Sequence, residues 1–205
     1  MDELLKDLKG DLLNSDTEKI DVKLNLLNSI GKICGVANGL EEIFFKDKNK
    51  KTYVLDTLFL RDCYNHLTYN KNIETYIFVT GVEFDSYYIL NKIIPVKLSK
   101  QSAVYARADD ADKHRVLIEL DETEHKLLAM FHDHMWKGLG ATSSSETDRA
   151  TQERYEKSGY PMISGIFSLD GYVTFFSNNY DFNILIYGKG VEQYGNTKSY
   201  RIKLS

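Results

Sequence analysis

Apolar and polar positions change period several times along this chain, and each change marks an element. Residues 2–14 carry Leu4, Leu5, Leu8, Leu12 and Leu13 at helical spacing, the stripe of a helix with one buried face. Asn14-Ser15-Asp16 interrupts the stripe and suits the cap of a second helix, which runs through Ile20, Val22, Leu24, Leu27 and Ile30 and fades at Gly31. The pattern therefore predicts an N-terminal helical extension over residues 1–50 and a main domain over residues 51–205. In the main domain, Thr52-Tyr53-Val54-Leu55 reads as a strand. Residues 58–69 read as a helix with Leu58, Leu60, Cys63 and Leu67 on its apolar side. Strands are expected over 76–81 and 87–95, a polar irregular insertion over 97–112, strand or strand and turn over 113–120, and a short helix from 122 to 126.

The strongest apolar run is Leu127-Leu128-Ala129-Met130-Phe131, which predicts a buried strand. A helix over residues 149–157 has clear signals at both ends. Ser145 and Asp148 form a capping box at its start, and Ser158-Gly159 with Pro161 beyond stops it. Asp170-Gly171 predicts a hairpin turn, and strands near 183–187 and 200–204 complete the chain. Interspersed helices and strands place the fold in the α+β class, and the hairpins imply mostly antiparallel pairing.

Charge and composition narrow the function classes. The chain has 205 residues, with 26 basic against 30 acidic side chains and a net charge of −4. Both signs are dispersed, so no basic stripe marks a nucleic-acid surface; the segment from Lys46 to Lys51 is broken by Asp47 and Asn49 and reads as a solvated loop. Cys34 and Cys63 are too few for a disulfide framework and are expected to be reduced. The Met-Asp-Glu start lacks the pattern of a secretion signal, and no apolar run is long enough to span a bilayer. These features predict a cytoplasmic protein without membrane partners.

The candidate chemistry lies at Phe131-His132-Asp133-His134, followed by Ser143-Ser144-Ser145-Glu146-Thr147-Asp148. Residues i and i+2 of a strand share a face, so His132 and His134 point the same way. Two imidazoles and an aspartate from the next element suit zinc and leave one coordination position open, the arrangement of a catalytic site. Taken pair by pair the residues have plainer explanations. A His-x-His pair is more often solvated or hydrogen-bonded, and Ser145 and Asp148 serve as a helix cap without any metal. His66, His114 and His125 have no partner motif and are assigned surface or structural roles.

Taken together, and with Glu74 upstream, these residues resemble the JAMM motif of the MPN (JAB-type) metalloprotease family: a Glu, then His-x-His, then Ser-x-x-Asp. Ile73-Glu74-Thr75-Tyr76-Ile77-Phe78-Val79-Thr80-Gly81 resembles the family's glutamate-led strand. Tyr160-Pro161-Met162-Ile163-Ser164-Gly165-Ile166-Phe167-Ser168, with Asp170-Gly171, resembles the strand and hairpin that follow its zinc helix. The resemblance implies an MPN-type curved mixed β-sheet flanked by helices. It implies His132, His134 and Asp148 as the ligands of one zinc ion per chain, Glu74 as the general base and Ser145 as an oxyanion donor.

The implied activity is peptidase or isopeptidase cleavage after the C-terminal tail of ubiquitin or a ubiquitin-like protein, in deconjugation or precursor processing. Met135 stands where the family usually has proline, and the loop over residues 135–147 is longer than the family spacing. Its Gly138-Leu139-Gly140 stretch is similar to bacterial and phage-type branches. No histidine follows His134 and no cysteine follows Cys63, so the second, structural zinc of some relatives has no ligands there.

Two other functions fit the residues, a catalytically silent MPN scaffold and a zinc hydrolase of small amides; retention of every ligand and of the glutamate favours the peptidase. Gly138, Gly140 and Ala141 suit one wall of a groove for a Gly-Gly-type tail, with Trp136 either in the core or capping that groove. A mobile surface loop is the plainer alternative.

Overall fold

Residues 50–84, 87–102, 105–121 and 125–204 are described by a computed structural model; the expected N-terminal helices lie outside them. The chain enters the sheet at β1 (Lys51–Asp56) and passes directly into α1 (Thr57–Leu67). Asp56 caps this helix, its carboxylate accepting the Leu58 N–H. The helix buries Leu60, Cys63, Tyr64 and Leu67, the i, i+3, i+4, i+7 stripe of an amphipathic helix. Leu58, expected on that stripe, is exposed instead.

β2 (Tyr76–Phe84) and β3 (Tyr87–Pro95) form an antiparallel pair, and β6 (Lys126–His134) lies on the other side of β2. From β6 the chain runs through a 3-10 turn (Leu139–Thr142) and α2's successor helix α3 (Glu146–Lys157), with α2 itself at Asp110–Asp121. It returns as β7 (Ile163–Ser168), parallel to β6. The remaining strands are β8 (Tyr172–Phe176), β9 (Phe182–Tyr187), β10 (Val191–Gln193) and β11 (Ser199–Ile202). Among the described residues, nine strands form one sheet in the order β10-β11-β8-β7-β6-β2-β3-β1-β9. The mixed α+β class is therefore observed. Most strand pairs are antiparallel, as expected; the parallel ones are β1 with β3 and β9, and β6 with β7. A helical crossover returns the chain in the same direction, which hairpin signals do not reveal.

Two further segments differ from their sequence patterns. The polar stretch 97–112 contains β4 (Leu98–Ser102) and β5 (Tyr105–Ala108), paired with each other in a separate two-stranded sheet. Residues 113–120 belong to α2, not to a strand. Asp109 starts that helix, its carboxylate accepting the Ala111 N–H at 2.9 Å, the usual N-terminal capping bond. The β-branched Val116 and Ile118 favour a strand locally, but Val116 is buried against the sheet while Ile118 stays exposed. The hairpin joining β7 and β8 turns through three residues, 169–171, with Gly171 at φ 90°, the left-handed position of a three-residue hairpin loop.

Side chains alternate between the two faces of the sheet. Ile77 and Val79 of β2 pack with Leu60, Cys63 and Leu67 of α1 in one cluster. Tyr76 and Phe78 pack with Val116 of α2, Met130 and Met162 in the other, and Tyr155 of α3 lies against it. The Phe78 and Tyr155 rings meet edge to face with centroids 5.9 Å apart. β6 lies in the middle and is buried on both faces along most of its length, which is why its sequence reads as a continuous apolar run. Its neighbour β7 approaches closely at Gly165, where an added Cβ would come within 2.7 Å of the Phe131 ring. Among the described residues no helix is long and apolar enough to cross a membrane.

Candidate metal centre

The alternation along β6 sends Phe131 and Asp133 to the α1 face, and His132 and His134 to the face covered by α3. Asp148 lies in the first turn of α3, so the crossover from β6 to β7 brings strand and helix ligands together. His132 Nε2 and His134 Nε2 are 3.3 Å apart. Asp148 Oδ1 is 3.2 Å from His132 Nε2, and Asp148 Oδ2 is 3.6 Å from His134 Nε2. A tetrahedral ion with bonds of ~2.0–2.1 Å keeps its donor atoms ~3.3–3.4 Å apart, so the observed spacing fits. These three side chains can hold a metal ion.

Hydrogen bonding around the trio supports the fit. His134 Nδ1 is 2.7 Å from the Ala141 carbonyl oxygen. A carbonyl only accepts, so Nδ1 carries the proton, and Nε2 is the nitrogen that can bind a metal once it gives up its own proton, the usual outer-shell arrangement of a metal-bound histidine. Asp148 Oδ2 accepts from the Ser145 backbone N–H and from its hydroxyl, both at 2.7 Å. Oδ1 is the oxygen directed at His132. The Ser145 hydroxyl in turn accepts the Asp148 N–H at 3.2 Å, completing the expected capping box. The helix cap and the ligand are thus one structure: the box that starts α3 also orients the carboxylate.

Glu74 reaches this site from β2. Tyr76 pairs with His132 in the antiparallel register, and the Asp133 N–H donates to the Thr75 carbonyl at 3.2 Å. Glu74, two residues before the strand, is close enough to His134 and Asp148 to interact with both electrostatically. Glu74 is buried, 7 % exposed. Burial pushes its carboxyl up to about 7; positive charge on His134 opposes the rise, while Asp133 and Asp148 add to it. Burial raises the Asp133 carboxyl to about 7 as well, against the hydrogen bonds from the Thr75 and Asp133 amides. Asp148 moves the other way. Burial opposes its ionisation, but hydrogen bonds from His132, His134 and Ser145 hold it well below the usual carboxylate range. Burial likewise opposes protonation of His134, and Asp148, the Ala141 carbonyl and Glu74 outweigh it, so this imidazole is raised.

The loop between the second histidine and α3 is tied down at several points. The Gly138 N–H donates to Asp170 Oδ1 at 2.7 Å, and the Leu169 N–H to the Trp136 carbonyl at 3.0 Å. The Thr142 hydroxyl bonds the Leu139 carbonyl at 2.7 Å and the Thr174 hydroxyl at 2.6 Å. These bonds hold the Ala141 carbonyl against His134. Trp136 is 56 % exposed, so it is not a core anchor; its ring lies edge-on to His134 with centroids 6.3 Å apart.

The structure therefore brings His132, His134 and Asp148 together, places Ser145 on Asp148, and sets Glu74 across the strand pair. Sequence reasoning missed three supporting groups. Gln152 is fully buried. Its amide donates to the Met162 carbonyl and Glu156, and accepts from the Ser164 hydroxyl, each at 2.7 Å, locking α3 to the start of β7. The one available signal was its position four residues after Asp148, on the same helix face. The Ala141 carbonyl and the Asp133 side chain left no local signal.

No protein-family model matches the chain, and no curated protein matches it. Among solved structures it is similar to protein DSY2949 from Desulfitobacterium hafniense, known from a solution structure. The two are 13% identical, the match covers 67% of this chain and 94% of that one, and the TM-score is 0.48.

Proposed function

We propose that the protein is a zinc peptidase or isopeptidase of the JAMM class, built on an MPN-type fold. Its substrate class is ubiquitin or a ubiquitin-like protein joined through its C-terminal tail. The observation that carries this reading is the convergence of His132, His134 and Asp148, at 3.2–3.6 Å between partners, with the buried Glu74 just before the neighbouring strand. Two imidazoles and a carboxylate are a common donor set of catalytic zinc, and the mixed sheet with helices on both faces is compatible with the fold.

Zinc held there would supply Lewis acidity, making water acidic near neutral pH and polarising a carbonyl. Glu74 takes the proton of the attacking water and delivers it to the leaving amine. A carboxyl raised by burial towards neutrality suits both halves of that transfer. In the resting arrangement the Ser145 hydroxyl proton is directed at Asp148. Donation to a developing oxyanion requires that hydroxyl to rotate, while the Ser145 N–H keeps Asp148 in place. A complete set of ligands and base favours an enzyme over a silent scaffold.

The test combines metal content with cleavage. Protein purified without chelator should carry close to one zinc per chain at this trio. It should also cleave lysine-linked diubiquitin or a linear ubiquitin fusion, with activity lost to a zinc chelator and restored by added zinc. The His132→Ala, His134→Ala double variant should lose both zinc and activity. Undiminished zinc in that variant would sink the ligand assignment, and hydrolysis of small amides alone would replace the substrate class.

A further inference from the structure

We propose that Asp133 is a positioning residue for Glu74, its buried carboxylate holding the Thr75 amide and so aiming the base at the metal ligands. The proposal rests on the reading of Glu74 as the base. Asp133 lies between the two histidines in sequence, but strand alternation sends its side chain to the opposite face of the sheet. There it is 0% exposed, a position that aspartate rarely occupies without a specific bond to make. Its Oδ1 accepts the Thr75 N–H at 2.7 Å, while Oδ2 has no hydrogen-bond partner among the described residues.

The backbone adds a second bond between the same two residues: the Asp133 N–H donates to the Thr75 carbonyl at 3.2 Å, while the Thr75 N–H donates to the Asp133 carboxylate. The regular strand starts at Tyr76, opposite His132, so Glu74 lies just before it, and the peptide that Asp133 holds is the one joining Glu74 to Thr75. A catalytic group misplaced by about 1 Å can lose ~10²-fold in rate.

Asparagine keeps a side-chain carbonyl to accept the Thr75 N–H; alanine removes it, and valine removes it while filling the space of a strand residue. In zinc-loaded protein, Asp133→Ala and Asp133→Val should speed amide exchange at Thr75 at least tenfold and displace the Glu74 carboxylate in crystal structures. Zinc content should not change. On lysine-linked diubiquitin or a linear ubiquitin fusion, kcat should fall about 10- to 100-fold with KM unchanged, and Asp133→Asn should restore kcat, Thr75 protection and the Glu74 position. Wild-type exchange at Thr75 and an undisplaced Glu74 in the valine variant would overturn the proposal, as would an asparagine variant no better than valine. A wild-type protein inactive on both substrates would overturn the peptidase reading, while exchange at Thr75 and the position of Glu74 would still decide the role of Asp133.

Discussion

Replacing Glu74 by glutamine should separate what this residue does for the reaction from what it costs the fold. Burial raises its carboxyl from 4.5 to about 7 in the metal-free protein, and each pKa unit corresponds to ~1.4 kcal/mol. Below pH 4.5 the group is protonated in both folded and unfolded chains and has no effect. Between 4.5 and about 7 the unfolded chain ionises while the fold retains its proton, so stability falls as pH rises. Above that window the full penalty, ~3 kcal/mol, applies. Glutamine cannot ionise. The metal-free Glu74→Gln protein should therefore match wild type near pH 4 and exceed it by up to ~3 kcal/mol at pH 8. Bound zinc should shrink that advantage, because a nearby cation favours the carboxylate.

Urea unfolding in chelator at pH 4, 6 and 8, repeated with zinc at pH 8, measures the difference. In parallel, turnover should fall ~10²–10⁴-fold. A variant no more stable than wild type at pH 8 in chelator would refute the electrostatic argument, and near-normal turnover would refute the role of base. Glu83 would not be the substitute: it lies near the far end of β2, ion-paired to Lys51 at 2.8 Å and to Lys126. Hydrogen bonds from Lys126 and Lys51 lower its carboxyl to about 2.

Gln152→Ala should cost ~2–4 kcal/mol, since it leaves a cavity and removes the buried partner of the Ser164 hydroxyl. It should also weaken zinc binding by loosening the helix that carries Asp148. Urea unfolding gives the first quantity, and zinc titration followed by the fluorescence of Trp136, the one tryptophan of the chain, gives the second; unchanged zinc affinity would detach Gln152 from the site. The two loop glycines should behave differently. Gly138 has φ 86° and ψ 165°, a region essentially restricted to glycine, so Gly138→Val should destabilise the protein by ~1–3 kcal/mol and weaken zinc binding through the shifted Ala141 carbonyl. A Cβ on Gly140 meets nothing within 4 Å. Gly140→Val should therefore leave stability and zinc intact while lowering kcat/KM on a ubiquitin fusion, and an unchanged kcat/KM would remove this loop from the tail groove.

Much of the candidate site is legible in the chain itself because its parts depend on short-range interactions. Strand alternation alone puts His132 and His134 on one face, and the capping box joins Ser145 to Asp148 across three residues. α1 and the strand at 87–95 show in their periodicity for the same reason: apolar spacing and end caps act within a turn or two of the chain. α2 escaped because its β-branched Val116 and Ile118 read locally as strand, and only docking of Val116 on the sheet settles the matter. Bonds between residues distant in sequence were likewise hidden. Thr75 and Asp133 are 58 positions apart, and their bond requires β2 and β6 to be neighbours in one particular register. The pairing of β6 with β7, which carries Asp148 over the histidines, depends on the route of the α3 crossover. Local pattern determined most of the elements, though not α2, β4 or β5, and which side chains share a face. Only the packed sheet decided which faces meet, because hydrogen bonds and burial between distant segments depend on their juxtaposition in the fold.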